Sequence, residues 1–235
     1  MSNLDKKELT KLLSFMTSFD GGLYRRGNGN AQFIMNMRKE NLDYCQWVSS
    51  TIQEVTGCSI KDRPDYNTDG CSRKPQVRVE SRRHPFLTKL WERIYIDNKK
   101  VLDLHMLKLL DAEALAIIFM ADGGTYLDER FKNKHCNITL NTKGFSEADN
   151  LALSKAIYEK LNIRTTVNRH YNYFYLRVKT KDIDLFVSTV LPYIKQSFIY
   201  KLERIAPALG DDIVCSLKEL RESDRDVQAN GENHE

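Results

Sequence analysis

The sequence predicts an α+β protein of two pseudo-symmetric αββαββα units, and three observations carry that expectation. The string Phe19-Asp20-Gly21-Gly22-Leu23-Tyr24 returns as Ala121-Asp122-Gly123-Gly124-Thr125-Tyr126, 102 residues later. An apolar helical stretch precedes each copy, and the same succession of alternating and helical segments follows each. Each half then runs to a lysine at nearly the same distance: Lys100 lies 80 residues after Asp20, and Lys201 lies 79 after Asp122.

The elements follow in order. Residues 9–19 and 109–121 form the apolar helices, which the paired glycines after each aspartate would stop. Next comes a strand with period-two alternation, at residues 32–37 in one half and 137–141 in the other. An amphipathic helix succeeds it, at 42–56 with Gly57 as its stop, and at 146–161 with Ser146 as N-cap and Glu147 and Asp149 in the first turn. The second strand pair is clearest at 76–80 and 173–179, and helices at 85–96 and 182–194 close the halves. On this reading residues 1–98 are the first repeat, 99–110 a short linker and 111–208 the second repeat. Residues 209–235 are then a charged, acidic tail of weak order.

Charge is distributed unevenly. The chain carries +4 overall, but from Leu209 onward eight acids face three bases, which leaves +9 on residues 1–208. A basic body followed by an acidic tail points to a polyanionic partner such as nucleic acid. Other classes are disfavoured. No apolar run approaches the roughly 18 residues that read as a membrane span, and the N-terminus is polar, without a secretory signal. The five cysteines (Cys45, Cys58, Cys71, Cys136, Cys215) are scattered and form no CxxC or zinc spacing, so they read as reduced thiols. An intracellular protein is expected, in cytoplasm or an organelle matrix, with no membrane partner.

The string Leu115-Ala116-Ile117-Ile118-Phe119-Met120-Ala121-Asp122-Gly123-Gly124 resembles the LAGLIDADG motif. Its first copy, Leu13-Ser14-Phe15-Met16-Thr17-Ser18-Phe19-Asp20-Gly21-Gly22, is more divergent but holds register with it. Together with Ile138-Thr139-Leu140-Asn141-Thr142, these residues make the chain similar to monomeric, two-repeat, intron-encoded homing endonucleases over residues 9–204. The resemblance implies two motif helices packed at the centre, antiparallel DNA-binding sheets forming a saddle, and a site-specific enzyme that cuts both strands of a long asymmetric duplex. It further implies Asp20 and Asp122 as catalytic acids and metal ligands, with Mg²⁺ as cofactor and Mn²⁺ as substitute. The chemistry fits, since phosphodiester hydrolysis needs charge neutralisation and activated water, and Mg²⁺ takes one or two carboxylates plus phosphate oxygens. The family's lysines fall on Lys100 and Lys201, although Lys99 competes for the first position. Phe15 and Phe19 are bulky where the family places small residues at the helix crossing.

Base recognition is expected on the strands, because a two-stranded antiparallel ribbon fits the major groove. Alternation puts Gln32, Asn36 and Arg38 on one face and Phe33, Met35 and Met37 on the other; Gln76, Arg78 and Glu80 likewise oppose Val77 and Val79. In the second half Asn137, Thr139 and Asn141 oppose Ile138 and Leu140, and Tyr173, Tyr175, Arg177 and Lys179 oppose Phe174, Leu176 and Val178. Basic loops supply candidate phosphate contacts at Arg25-Arg26, Arg73-Lys74, Arg82-Arg83-His84, Lys132 and Lys134, and Arg164 with Arg169-His170. Any half-exposed sheet shows a polar face, so the pattern alone does not separate a binding surface from a solvated one. Two other readings stay open: an intron maturase that binds RNA by shape and phosphate, and a catalytically silent DNA-binding protein.

Overall fold

The computed structural model describes residues 4–63, 74–128 and 135–231, with side chains in the last helix described to residue 221. The first unit comprises α1 (Lys6–Phe19), β1 (Gly22–Tyr24), β2 (Gln32–Arg38), α2 (Leu42–Gln53), β3 (Cys58–Arg63), β4 (Gln76–Ser81) and α3 (Pro85–Ile94). A short hairpin, β5 (Tyr95–Ile96) and β6 (Lys99–Lys100), and a one-turn helix, α4 (Leu104–Lys108), make the connection. The second unit repeats the pattern with α5 (Ala112–Asp122), β7 (Gly123–Asp128), β8 (His135–Leu140), α6 (Glu147–Leu161), β9 (Thr165–His170), β10 (Tyr173–Val178) and α7 (Ile183–Val190). The chain continues through α8 (Tyr200–Glu203) and α9 (Asp211–Gly231).

Both four-stranded sheets are antiparallel and share one strand order, β1-β2-β4-β3 and β7-β8-β10-β9. The inner faces, Phe33, Met35, Val77 and Val79 in one and Ile138, Leu140, Leu176 and Val178 in the other, are buried in a core that runs through both units. Local signals start the helices. Asp5 accepts the Lys7 and Glu8 backbone N–H groups at the head of α1, and Asp111 accepts that of Ala114 at the head of α5. Ser146 and Asp149 form a reciprocal capping box on α6, which ends at Asn162 in the left-handed region (φ 56°).

Helices α1 and α5 lie against each other at the centre, with residues 11–18 and 114–120 all buried. A helix apolar on every side, as α5 is, is stable only when enclosed. Lys11 locks the N-terminal ends together: its Nζ lies 2.6 Å from Asp111, 2.7 Å from Glu8 and 3.1 Å from Glu113. At the other end Phe19 stacks along Phe15 and packs against Phe145 of the second unit, which accommodates the two bulky rings.

Several segments differ from the sequence expectation. Residues 211–231 are helical where the sequence suggests a weakly ordered tail, with Leu217 buried where α9 packs on α7. The linker is structured by its own hairpin and by α4, capped by Asp103. Helix α2 stops at Gln53, before Gly57, and α7 stops at Val190, where Leu191–Tyr193 tightens into a 3₁₀ turn around Pro192. No helix among the described residues is long and apolar enough to cross a membrane.

Candidate active site and nucleic-acid interface

The two aspartates sit at the C-terminal ends of the central helix pair, Asp20 as the C-cap of α1 and Asp122 as the last residue of α5. Each helix ends at the following glycine, whose N–H bonds back to Met16 O (2.8 Å) in one case and to Phe119 O in the other. A Cβ on Gly21 would lie 2.3 Å from the Phe33 ring, and one on Gly123 would lie 2.2 Å from Phe119 O. Only glycine lets the chain turn so directly from helix into β1 or β7.

Two lysines cap the same ends. Lys100 Nζ donates to Thr17 O (2.8 Å), Ser18 O (3.3 Å) and Gly21 O (2.6 Å). Lys201 Nζ donates to Phe119 O (3.1 Å) and Met120 O (2.6 Å), which hold in α5 the places of Thr17 and Ser18 in α1. A cation at a helix C-terminus satisfies orphan carbonyls and complements the dipole. Backbone geometry brings Lys100, and not Lys99, to the end of α1. Asp97 and Asn98 both have positive φ (49° and 60°), as a two-residue turn of type I′ requires, and this pairs Tyr95 with Lys100. Strand parity then turns Lys100 inward and leaves Lys99 exposed.

Each aspartate interacts electrostatically with both lysines, and Asp122 also acts on Asp20. Burial pushes the Asp20 carboxyl up to about 7 and Asp122 adds to the push, while the Tyr44 hydroxyl, Lys201 and Lys100 pull the other way. Burial likewise raises Asp122 to about 6, against Lys201, Lys100 and Lys143. Burial lowers Lys201 to about 8 and also lowers Lys100, with both carboxylates opposing it in each case. Neither lysine makes its hydrogen bonds to a carboxylate; both spend them on backbone carbonyls and leave the acid oxygens free of lysine contacts. Among the described residues no group of three or more His, Cys, Asp or Glu gathers as a metal site. Two hard carboxylates suit a divalent cation whose remaining ligands are water and phosphate.

Sequence reasoning missed Tyr44. It lies in the first turn of α2, fully buried, and its hydroxyl donates to Asp20 Oδ2. Its ring meets Phe198 of the second unit edge-on (5.3 Å), and Phe198 in turn lies 5.3 Å beneath Lys201 Nζ. A buried aromatic in an amphipathic helix reads as core, and nothing local marks its hydroxyl as a partner for Asp20.

Most predicted recognition residues lie on the outward faces of the two sheets. Gln32, Asn36, Gln76, Arg78 and Arg38 share the first face; Asn137, Thr139, Tyr175 and Arg177 share the second, with Asn141 and Lys179 just beyond the strand ends. Their side chains are organised across strands: Arg78 donates to Asn36 (3.1 Å), Gln32 to Glu80 (3.2 Å) and Arg83 to Gln32 (3.4 Å). Arg38 and Lys74 both pair with Glu40, and Arg82 is exposed beside Gly57. Arg169 departs from expectation. It belongs to β9 rather than a loop, pairs with Phe174 and lies over that ring (5.9 Å), on the face opposite Thr166, Asn168 and His170. Arg164 is tied to Asp182 by two side-chain bonds. Arg73, Lys132 and Lys134 lie outside the described residues. Pairing register adds residues that the sequence did not single out: Lys61 and Arg63 opposite Arg78 and Gln76, and the matched tyrosines Tyr24 and Tyr126, 56% and 55% exposed.

A model of the LAGLIDADG DNA endonuclease family matches residues 20–186. Probable intron-encoded endonuclease 1 of Wickerhamomyces canadensis is 30% identical over 126 residues, 53% of this chain and 54% of that protein. The match therefore spans about half the length of that relative. Probable intron-encoded DNA endonuclease 3 of Mycosarcoma maydis is 26% identical over 126 residues, 52% of this chain and 88% of that protein. Among solved structures, the homing endonuclease I-WcaI bound to its DNA recognition sequence superposes with a TM-score of 0.69 at 21% identity, covering 84% of this chain and 86% of that one. The meganuclease I-SmaMI bound to uncleaveable DNA gives 0.54 at 11% identity, covering 85% and 90%. At these identities the structures speak to the fold, whereas the family model takes in both aspartates and strands of both sheets: the chain belongs to the LAGLIDADG DNA endonuclease family.

Proposed function

We propose that this protein is a site-specific homing endonuclease that binds a long, asymmetric duplex as a monomer and hydrolyses both strands with divalent metal ions, Mg²⁺ or in its place Mn²⁺. The observation that carries the reading is the duplicated helix end, where an aspartate and a carbonyl-bound lysine from each unit share one partly buried region. Asp20 and Asp122 would hold the metal, which supplies charge neutralisation at the scissile phosphate and activation of the attacking water. Lys100 and Lys201, fixed on the helix ends, would orient that water or offset charge developing on the phosphate. Burial holds Lys201 down at about 8, against the pull of both carboxylates, which eases the loss of its proton.

The outward faces of the two sheets would read bases through Gln32, Asn36, Gln76, Arg78, Asn137, Thr139, Asn141, Tyr175 and Arg177, with Arg38, Lys74, Arg82 and Lys179 towards the phosphates. Two units of different sequence give unlike half-sites, hence the asymmetric target. The test is selection: the protein with Mg²⁺ is mixed with a plasmid library of candidate sites, and linearised plasmids are recovered and sequenced. A recovered site should be bound but not cut by Asp20→Asn or Asp122→Asn. If no sequence is ever linearised while an intron RNA is bound tightly and spliced, the maturase reading takes its place.

A further inference from the structure

The two aspartates are not held alike. Tyr44 donates its hydroxyl to Asp20, whereas among the described residues no side chain donates to the Asp122 carboxylate. The corresponding place in the second unit can be located. In α2 the residue before Tyr44, Asp43, accepts the backbone N–H of Ser197 from the other unit (3.1 Å). Tyr44 is the third residue of α2, after the N-cap Asn41, and the third residue of α6, after the N-cap Ser146, is Asp149. Asp149 has no hydroxyl to offer and is committed to its own helix start, where its carboxylate accepts from Ser146 N–H (3.1 Å) and Ser146 Oγ–H (2.7 Å), and to the Leu102 backbone N–H (3.4 Å).

The surroundings of Tyr44 suit the task of fixing a carboxylate. Its ring is clamped between Trp47 (5.6 Å) and Phe198 (5.3 Å), so the hydroxyl has little freedom. One oxygen of Asp20 is thereby engaged and the rotamer set, while the rest of the carboxylate is left for ligation. Because Phe198 also underlies Lys201, the same aromatic stack spans from the acid of the first unit to the lysine of the second.

We infer that Tyr44 is a positioning residue for Asp20 alone, so that the two strand cuts depend unequally on it. This rests on the reading of Asp20 and Asp122 as metal-binding acids. The test uses Tyr44→Phe, which keeps the ring and removes only the hydroxyl, beside the wild type and Asp20→Asn, on a cleavable duplex labelled differently on each strand. A charge-assisted hydrogen bond of this kind corresponds to about a tenfold effect or more. Tyr44→Phe should bind the duplex as the wild type does, yet cut one of the two strands about tenfold more slowly, so that nicked product accumulates. Independently of cutting, the free-ion resonance signal of Mn²⁺ titrated into the protein–DNA complex should show one uptake step weakened about tenfold. Equal slowing of both strands, or unchanged strand ratio and Mn²⁺ uptake while Asp20→Asn blocks cutting, overturns the inference. Normal cutting by Asp20→Asn would instead overturn the assignment of Asp20 itself, and this inference with it.

Discussion

Replacing Asp20 with asparagine should stabilise the metal-free protein at the pH where the enzyme is proposed to work. Unfolded, this carboxyl titrates at 3.8; folded, burial raises it to about 7. Below pH 3.8 both states hold the proton and ionisation contributes nothing. Between about 4 and 7 the native state keeps a proton that the unfolded chain has released, so native stability falls as pH rises, by about 1.4 kcal/mol per pH unit. By pH 8 the accumulated loss is about 4 kcal/mol. Asparagine is neutral throughout and still offers Tyr44 an acceptor, so Asp20→Asn escapes most of that loss, a gain of about 2–4 kcal/mol. For a chain of this length that is a rise in Tm of about 5–10 °C at pH 8, shrinking to nothing near pH 4. Thermal melts in a chelator at pH 4.5 and pH 8 measure it directly. A variant no more stable relative to wild type at pH 8 than at pH 4.5 would refute the buried-charge argument. Mg²⁺, by binding the native state, should restore stability to the wild type and not to the variant.

Other sites give sharper separations of role. Lys201→Met keeps the apolar stem but removes the cation from the end of α5; cutting should fall about 100-fold with DNA affinity little changed, as single-turnover rates and fluorescence anisotropy would report. Parallel loss of both would mean that Lys201 acts in binding. Lys11→Met leaves Glu8, Asp111 and Glu113 around a 6%-exposed position without their cation, and urea unfolding should show a loss of about 2–3 kcal/mol, with no loss ruling out the clamp. Arg78→Ala should cost about 1–3 kcal/mol of binding and relax preference at one base pair; a uniform fall across all sequences would assign Arg78 to phosphate instead.

The fold was largely legible in the chain because its signals are local and occur twice. A period of two in residues 32–37 and 137–141, capping chemistry at Ser146, and the Asp-Gly-Gly helix ends each depend on a few neighbouring residues, and the duplication confirms each against the other. The position of Asp20 and Asp122 at the ends of the central helices was legible for the same reason. Where locality fails, so does the reading: Arg169 looked like part of a basic loop, yet pairing with Phe174 places it in a strand on the other face. The acidic tail reads as weakly ordered along the sequence, and its contact with α7 gives Leu217 a reason to be buried and residues 211–231 a reason to be helical.

The sequence by itself determined that there are two units, which face of each strand is polar, and that Asp20 and Asp122 end the central helices. Tertiary structure alone decided that Lys100 rather than Lys99 reaches α1, because the positive φ angles of Asp97 and Asn98 set the parity of a two-residue hairpin. It alone brought Tyr44 to Asp20 and Phe198 beneath Lys201, so that the doubled motif of the chain becomes a site with unequal halves. Periodicity and capping act over a few residues and are written in order along the chain. Contacts between units depend on how two packed cores meet, and residues more than 150 positions apart, such as Asp43 and Ser197, carry no local sign of one another.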